Sequence, residues 1–172
     1  MVAACRIQYV EIARNNAKEF EEKPMIQDSI ERRITIRASK ERVYSAITDP
    51  KQIVSWFPDA INGTLEVGAT PTIDFGKDSV FQIYVVAANP HDYFAYRWVS
   101  GNADGTNGFT GDVLAFPNTL VEFRLADDPK GTALTLTESG FSPLPRVIAE
   151  TKLEENSGGW DYMLDRLEKL FA

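Results

Sequence analysis

The residue types that build many catalytic and metal centres are nearly missing from this 172-residue chain: it holds one histidine, His91, and one cysteine, Cys5. A single cysteine excludes an intrachain disulfide and makes a reducing compartment, the cytoplasm, the expected location. One histidine excludes zinc sites built on two or three histidines, and one cysteine excludes the cysteine-rich kind. Neither a metal nor a cofactor is called for. A nucleophile–His–acid triad would have to use His91, yet there is no Gly-x-Ser-x-Gly elbow. Also missing are the Gly-x-x-x-x-Gly-Lys-Ser/Thr phosphate loop and the Gly-x-Gly-x-x-Gly dinucleotide fingerprint.

Positive charge is in short supply too. Eighteen basic residues against 25 acidic ones leave a net charge of −7. That balance argues against a nucleic-acid partner, which needs clustered Lys and Arg to displace counterions. The densest basic stretch, "ERRITIR", alternates charge with apolar residues as an exposed strand face does. No run approaches the roughly 20 apolar residues of a membrane span, so no membrane partner is expected. The N-terminus lacks the basic start and clean apolar run of a signal peptide. The sequon Asn62-Gly63-Thr64 is therefore expected to stay unmodified.

What is present is the composition of one soluble domain, 44% hydrophobic and 25% charged. Residues 1–27 stand apart, charged, mixed in period and closed by Pro24; they read as a helical extension or an upstream start. In "SIERRITIRAS", Ile30, Ile34 and Ile36 alternate with charged residues, which predicts a half-buried strand. Ser39 is placed to cap a helix through "KERVYSAIT", Asp49-Pro50 stops it, and "KQIVSWF" adds a turn or two before Pro58. Strands follow. "TLEVGATPTIDF" reads as a strand pair or a strand bent around Gly68 and Pro71, and "DSVFQIYVVAAN" turns through "PHD" into "YFAYRW". A hairpin over 119–141 follows from the Asp-Asp-Pro-Lys-Gly turn between two β-rich runs.

After Pro143 and Pro145, Leu153, Trp160, Leu164, Leu167 and Phe171 recur at helical steps, predicting a long terminal helix. Gly158 and Gly159 sit inside it, each costing about 1 kcal/mol relative to Ala. One continuous helix is the preferred reading; a break with Asn156 or Ser157 capping a new helix is the alternative. Grouped strands with helices at both ends make an α+β domain. A curved antiparallel sheet would wrap the long helix, with two short helices after the first strand.

Four segments, "ITIRASKERVYSAITDPKQIVSWF", "FAYRW", "GTALTLTESGF" and "NSGGWDYMLDRLEKL", occur in an order that resembles the SRPBCC (START/Bet v 1-like) superfamily. Within it they are similar to the AHSA1-like branch, related to the activator of Hsp90 ATPase. The resemblance covers about residues 28–172. It implies a helix-grip fold with a cavity between sheet and terminal helix. It does not imply a reaction, because such domains include ligand carriers, cyclases and chaperone activators.

Within that frame, the preferred function is a carrier-type module for a small apolar molecule. Its walls would be Trp56, Phe57, Phe75, Trp98, Phe141, Trp160 and Leu164. Bare backbone at Gly159 would let helix and sheet approach closely or leave room for a ligand beside Trp160. The competing reading is that the aromatic rings simply fill the core. Tyr96 and Glu138 would be the polar contacts. Tyr96 shares a strand face with Phe94 and Trp98, and Glu138 with Leu134 and Leu136.

An ideal strand carries Glu138 inward, where its pKa would rise and it could act as an acid or base. The preferred alternative is that the strand frays before Gly140 and Glu138 meets solvent, Arg97 or Arg146. A cyclase- or hydrolase-type enzyme using Glu138 or His91 ranks second, because no acid–base pair converges. A chaperone partner and pairing as a homodimer also stay open. Eukaryotic co-activators of the branch carry a larger N-terminal domain, however, and residues 1–27 are too short for one. The loop "GNADGTNGFTGD", with Asn102, Asp104 and Asn107, lacks calcium-loop spacing and reads as a binding rim.

Overall fold

The computed structural model describes residues 25–77, 79–99 and 108–172. The readings of the N-terminal extension, of Cys5 and of Asn102, Asp104 and Asn107 lie outside those residues.

β1 (Ser29–Ile36) turns its isoleucines to the core, with Ile30 and Ile36 buried and Ile34 half-buried. Helix α1 (Lys40–Thr48) buries Val43, Ala46 and Ile47. The Ser39 side chain makes no capping hydrogen bond there. Asp49 does more than stop α1. Its carboxylate accepts from Lys51 N–H and so caps α2 (Pro50–Ile53), with Pro50 in the first turn where a missing N–H costs nothing.

Two short strands, β2 (Ala60–Asn62) and β3 (Thr72–Asp74), lead to β4 (Val80–Asn89) and β5 (Tyr93–Trp98). The predicted strand through "TLEV" is instead a looped segment. Gly68 takes a left-handed φ of 83°, and Pro71 has no N–H for a ladder. The backbone at Gly68 and Ala69 still bonds to Val85. β6 (Thr119–Asp128) and β7 (Gly131–Ser139) form the expected hairpin. Its turn requires glycine: Gly131 has φ 141°, and a Cβ there would lie 2.2 Å from the Ile36 carbonyl oxygen.

The strands form one antiparallel sheet in the order β1-β7-β6-β5-β4-β3-β2. α3 (Arg146–Lys169) lies across its inner face as one uninterrupted helix, glycines included. Ala149, Trp160, Leu164 and Leu167 are its buried stripe, while Leu153 and Phe171 are partly covered. Arg32 on β1 donates to Asp161 and Ser157 of α3 and ties the helix to the edge strand. Packing of one face, rather than propensity, holds such a helix. This is the helix-grip arrangement.

Candidate functional site

Glu138 points inward and is fully buried. The strand does not fray: β7 runs to Ser139, with Glu138 opposite Val121 on β6 and Ile30 on β1. The two arginines proposed as partners are engaged elsewhere, Arg97 with Asn118 and Arg146 with Glu150. What satisfies the carboxylate is a ring of neutral donors. Oε1 accepts from Trp98 Nε1 at 2.9 Å, Thr119 Oγ1 at 2.7 Å and Asn156 Nδ2 at 3.0 Å. Oε2 accepts from Trp160 Nε1 at 2.7 Å and Asn156 Nδ2 at 3.2 Å.

Strand register assembles half of this ring. Trp98 stands directly opposite Thr119, and Thr119 is the diagonal neighbour of Glu138 on the same face. Helix spacing supplies the rest, since Asn156 and Trp160 are four residues apart on one face. Burial pushes the Glu138 pKa up, while the hydrogen bonds from Thr119, Trp160, Trp98 and Asn156 oppose that rise. Four donors and five contacts fill the roughly four lone-pair sites of an ionised carboxylate. The group therefore clasps three strands' inner residues to the helix; it does not present a free oxygen.

Three of the clasped residues, Trp98, Asn156 and Trp160, also wall a recess. A space of about 170 Å³ is bordered, among the described residues, by Phe57, Phe75, Trp98, Glu155, Asn156, Gly159, Trp160 and Met163. Its walls are almost wholly apolar. Phe57 is fixed from both sides: it stacks on Trp56 at 5.2 Å and on Trp160 at 5.3 Å, and Phe75 meets it edge-on at 5.2 Å. The Trp56 indole donates to the Ala46 carbonyl at 2.9 Å, anchoring that stack to α1. The recess is thus preformed by rings that packing and hydrogen bonds hold in place.

Five of the ten residues singled out in the sequence meet here: Phe57, Phe75, Trp98, Gly159 and Trp160. Trp56, Phe141 and Leu164 lie in the filled core and do not border the recess. Tyr96 is buried among Phe94, Trp98 and Phe123. Its hydroxyl has no hydrogen-bond partner among the described residues, and burial, then the nearby Glu138 charge, holds its pKa well above the usual phenol value. Glu138 lies one side chain behind the recess wall.

The close-approach explanation for the glycines is corrected. A Cβ on Gly158 or Gly159 would meet nothing within 4 Å among the described residues. Gly159 faces the recess, so the space beside Trp160 is what its missing side chain leaves. The structure gives no steric reason for Gly158. His91 sits in the β4–β5 turn with φ 68°, its ring edge-on to Tyr44 at 5.8 Å. Tyr93, just after it, aligns with Thr135 through Arg124, three positions along the sheet from Glu138. The two do not converge.

Sequence reasoning missed Thr119, Asn156, Glu155 and Met163. Of these only Asn156 carried a signal, its four-residue spacing from Trp160. No group of three or more His, Cys, Asp or Glu among the described residues could hold a metal ion. No helix among them is long and apolar enough to cross a membrane.

A curved antiparallel sheet closed by a terminal helix, with a recess at their junction, defines the class as a helix-grip α+β domain. The chain belongs to the family described as Activator of Hsp90 ATPase homolog 1-like protein, whose model matches residues 37–172. Among solved structures it is similar to DynU16, a protein of the dynemicin biosynthetic locus, with 23% identity and a TM-score of 0.65. That match covers 83% of this chain and 46% of DynU16, so the chain spans less than half of that relative's length. A Mesorhizobium loti protein is 25% identical with a TM-score of 0.64, over 83% of this chain and 95% of its own. The Aha1 dimer from Colwellia psychrerythraea is 20% identical with a TM-score of 0.65, over 84% and 96%. DynU16 and the Colwellia protein, below 25% identity, share the fold and carry no more than that. A search of curated proteins found no match.

Proposed function

We propose that this domain binds a small apolar molecule in the recess between α3, β5 and the segment carrying Phe57 and Phe75. The observation that carries the reading is the preformed apolar space of about 170 Å³ beside Gly159. An engineered apolar cavity of about 150 Å³ binds benzene, so one ring or a short branched chain fits inside. Anything larger would project from the mouth past Glu155 and Met163.

Carrier-type binding is favoured over catalysis by the state of Glu138. Its oxygens are occupied by four donors, and Trp98, Asn156 and Trp160 separate it from the recess. A proton shuttle needs a group within hydrogen-bond reach of the reacting atom, and His91 is remote as well. A chaperone partner and a homodimer are not drawn from this chain's own surface. The first rests on the family's description and the second on the dimeric Colwellia relative.

The test is a thermal-shift series with one-ring aromatic and short branched aliphatic compounds. A ligand held at 100 times its dissociation constant should stabilise the native state by about 2.7 kcal/mol. Absence of a shift with every compound at millimolar concentration would sink the proposal.

A further inference from the structure

The electrostatics of the recess specify the charge of its occupant. No Lys or Arg borders it among the described residues. One acidic residue, Glu155, stands at its mouth, and that carboxylate is ion-paired to Lys152 at 2.7 Å. Behind the wall lies a second carboxylate with no cation bonded to it among the described residues: each of those bonded to Glu138 is a neutral donor. Glu138 is in contact with three residues that border the space, through the Trp98 and Trp160 indole N–H groups and the Asn156 amide. An indole that donates its N–H to a carboxylate carries extra electron density on its ring. Two such indoles and two phenyl rings enclose the recess.

Aromatic walls of this kind attract organic ammonium groups, most strongly where water is displaced. A carboxylate that is buried and short of positive charge strengthens the attraction, because the interior screens it less than water does. An anionic ligand meets the opposite: repulsion from Glu138, and among the described residues no basic side chain on the lining, with Lys152 already paired to Glu155. We infer that the recess selects a small organic ammonium ion with an apolar body, such as a trimethylammonium or alkylamine group, over its neutral isostere, and excludes carboxylates. This rests on the ligand-binding reading above and adds the chemical class.

The experiment compares three one-ring ligands by calorimetry at neutral pH: benzyltrimethylammonium, the uncharged isostere neopentylbenzene, and phenylacetate. The expected order is ammonium tightest by about tenfold over the isostere, with phenylacetate undetectable. If the neutral isostere binds as tightly as the ammonium or better, the charge selection is overturned while ligand binding stands. If none of the three binds, both readings fall. Glu138→Gln then assigns the source. With its fold verified by near-ultraviolet circular dichroism, it should bring the ammonium and its isostere to within about twofold of each other. A folded variant that keeps the tenfold preference would overturn the role given to Glu138. The wild-type series decides the selectivity itself, so the proposal is testable even where that variant does not fold.

Discussion

The inner face of the sheet has two halves that share a composition and differ in what fills them. Towards one side of Trp160, Trp56, Phe94, Phe123, Leu134, Leu136 and Phe141 are packed to complete burial. Towards the other, Phe57, Phe75, Trp98 and Trp160 leave about 170 Å³ open. Aromatic rings occur on both sides, so residue type is not what separates core from recess. The difference lies in how the rings are held. The filled half relies on mutual packing, where every neighbour supports the next. Around the recess, the missing neighbours are replaced by hydrogen bonds: Glu138 fixes both indoles, and the Trp56–Phe57–Trp160 stack fixes the phenyl ring between them. A wall facing empty space needs an anchor behind it.

This contrast breaks first at its filled side. Trp56→Ala should cost about 3–5 kcal/mol, as large-to-small changes in a packed core do, with the loss read from urea denaturation. Because Phe57 then loses one of its two stacking partners, ligand binding should weaken as well. Glu138→Gln comes next. The amide keeps the shape but replaces one accepting oxygen with a donor, so at least one of Trp98, Thr119, Asn156 and Trp160 loses its partner. Leaving a buried donor unpaired costs about 1–3 kcal/mol, again visible in urea. An unchanged midpoint would mean that the clasp is not structural.

The same variant isolates the titration of Glu138. Burial raises its pKa in the folded state above the ordinary carboxyl value. The native state therefore holds this proton more tightly, and the group's contribution to stability is greatest below its unfolded pKa. That contribution falls as pH rises towards the raised folded value and is constant beyond it. Subtracting the Glu138→Gln stability profile from that of the wild type should show this downward step. A flat difference would refute the assignment.

How much of this could be read in the residues follows from the range of the interactions. Long elements were legible, because Ile30, Ile34 and Ile36 on β1 and Trp160, Leu164 and Leu167 on α3 repeat at the periods of strand and helix. β2 and β3, three residues each, are too short to show a period: β3 lies within the predicted "TLEVGATPTIDF", whereas β2 precedes it. Glu138 shows the limit most clearly. Alternation along β7 places it inward, yet an unpaired carboxylate in a core is costly, which favours a frayed strand end. The reasons it is tolerated, Trp98, Thr119, Asn156 and Trp160, lie 18 to 40 residues away on other elements. Local sequence carries no trace of such a ring of donors. Likewise, nothing in the types Trp56 and Phe57 says that the first fills the core and the second walls a space.

A smaller effect should follow from Tyr96. Its hydroxyl is buried without a partner among the described residues, so Tyr96→Phe removes a desolvated polar group and keeps the ring contacts. A gain of about 1 kcal/mol in thermal or urea stability is expected. A loss would show that the hydroxyl is bonded after all, to a buried water.

The glycine pair gives a change in stability as small as that, and the sharpest test of the contrast. Both residues lie inside α3, and a Cβ on either meets nothing within 4 Å among the described residues, so each substitution gains helix propensity at no steric cost. Gly158→Ala should stabilise by about 1 kcal/mol and leave ligand binding as it was, because Gly158 does not border the recess. Gly159→Leu should stabilise by a similar or slightly smaller amount, yet its side chain projects beside Trp160 into the space a ligand would use. Stability and binding should therefore move together at neither position: one variant is tighter and functional, the other tighter and closed. If Gly159→Leu retains wild-type affinity for a ligand that shifts the melting temperature, that ligand sits elsewhere. If it instead destabilises the fold, the helix approaches the sheet more closely than this structure shows, and the recess is smaller than 170 Å³.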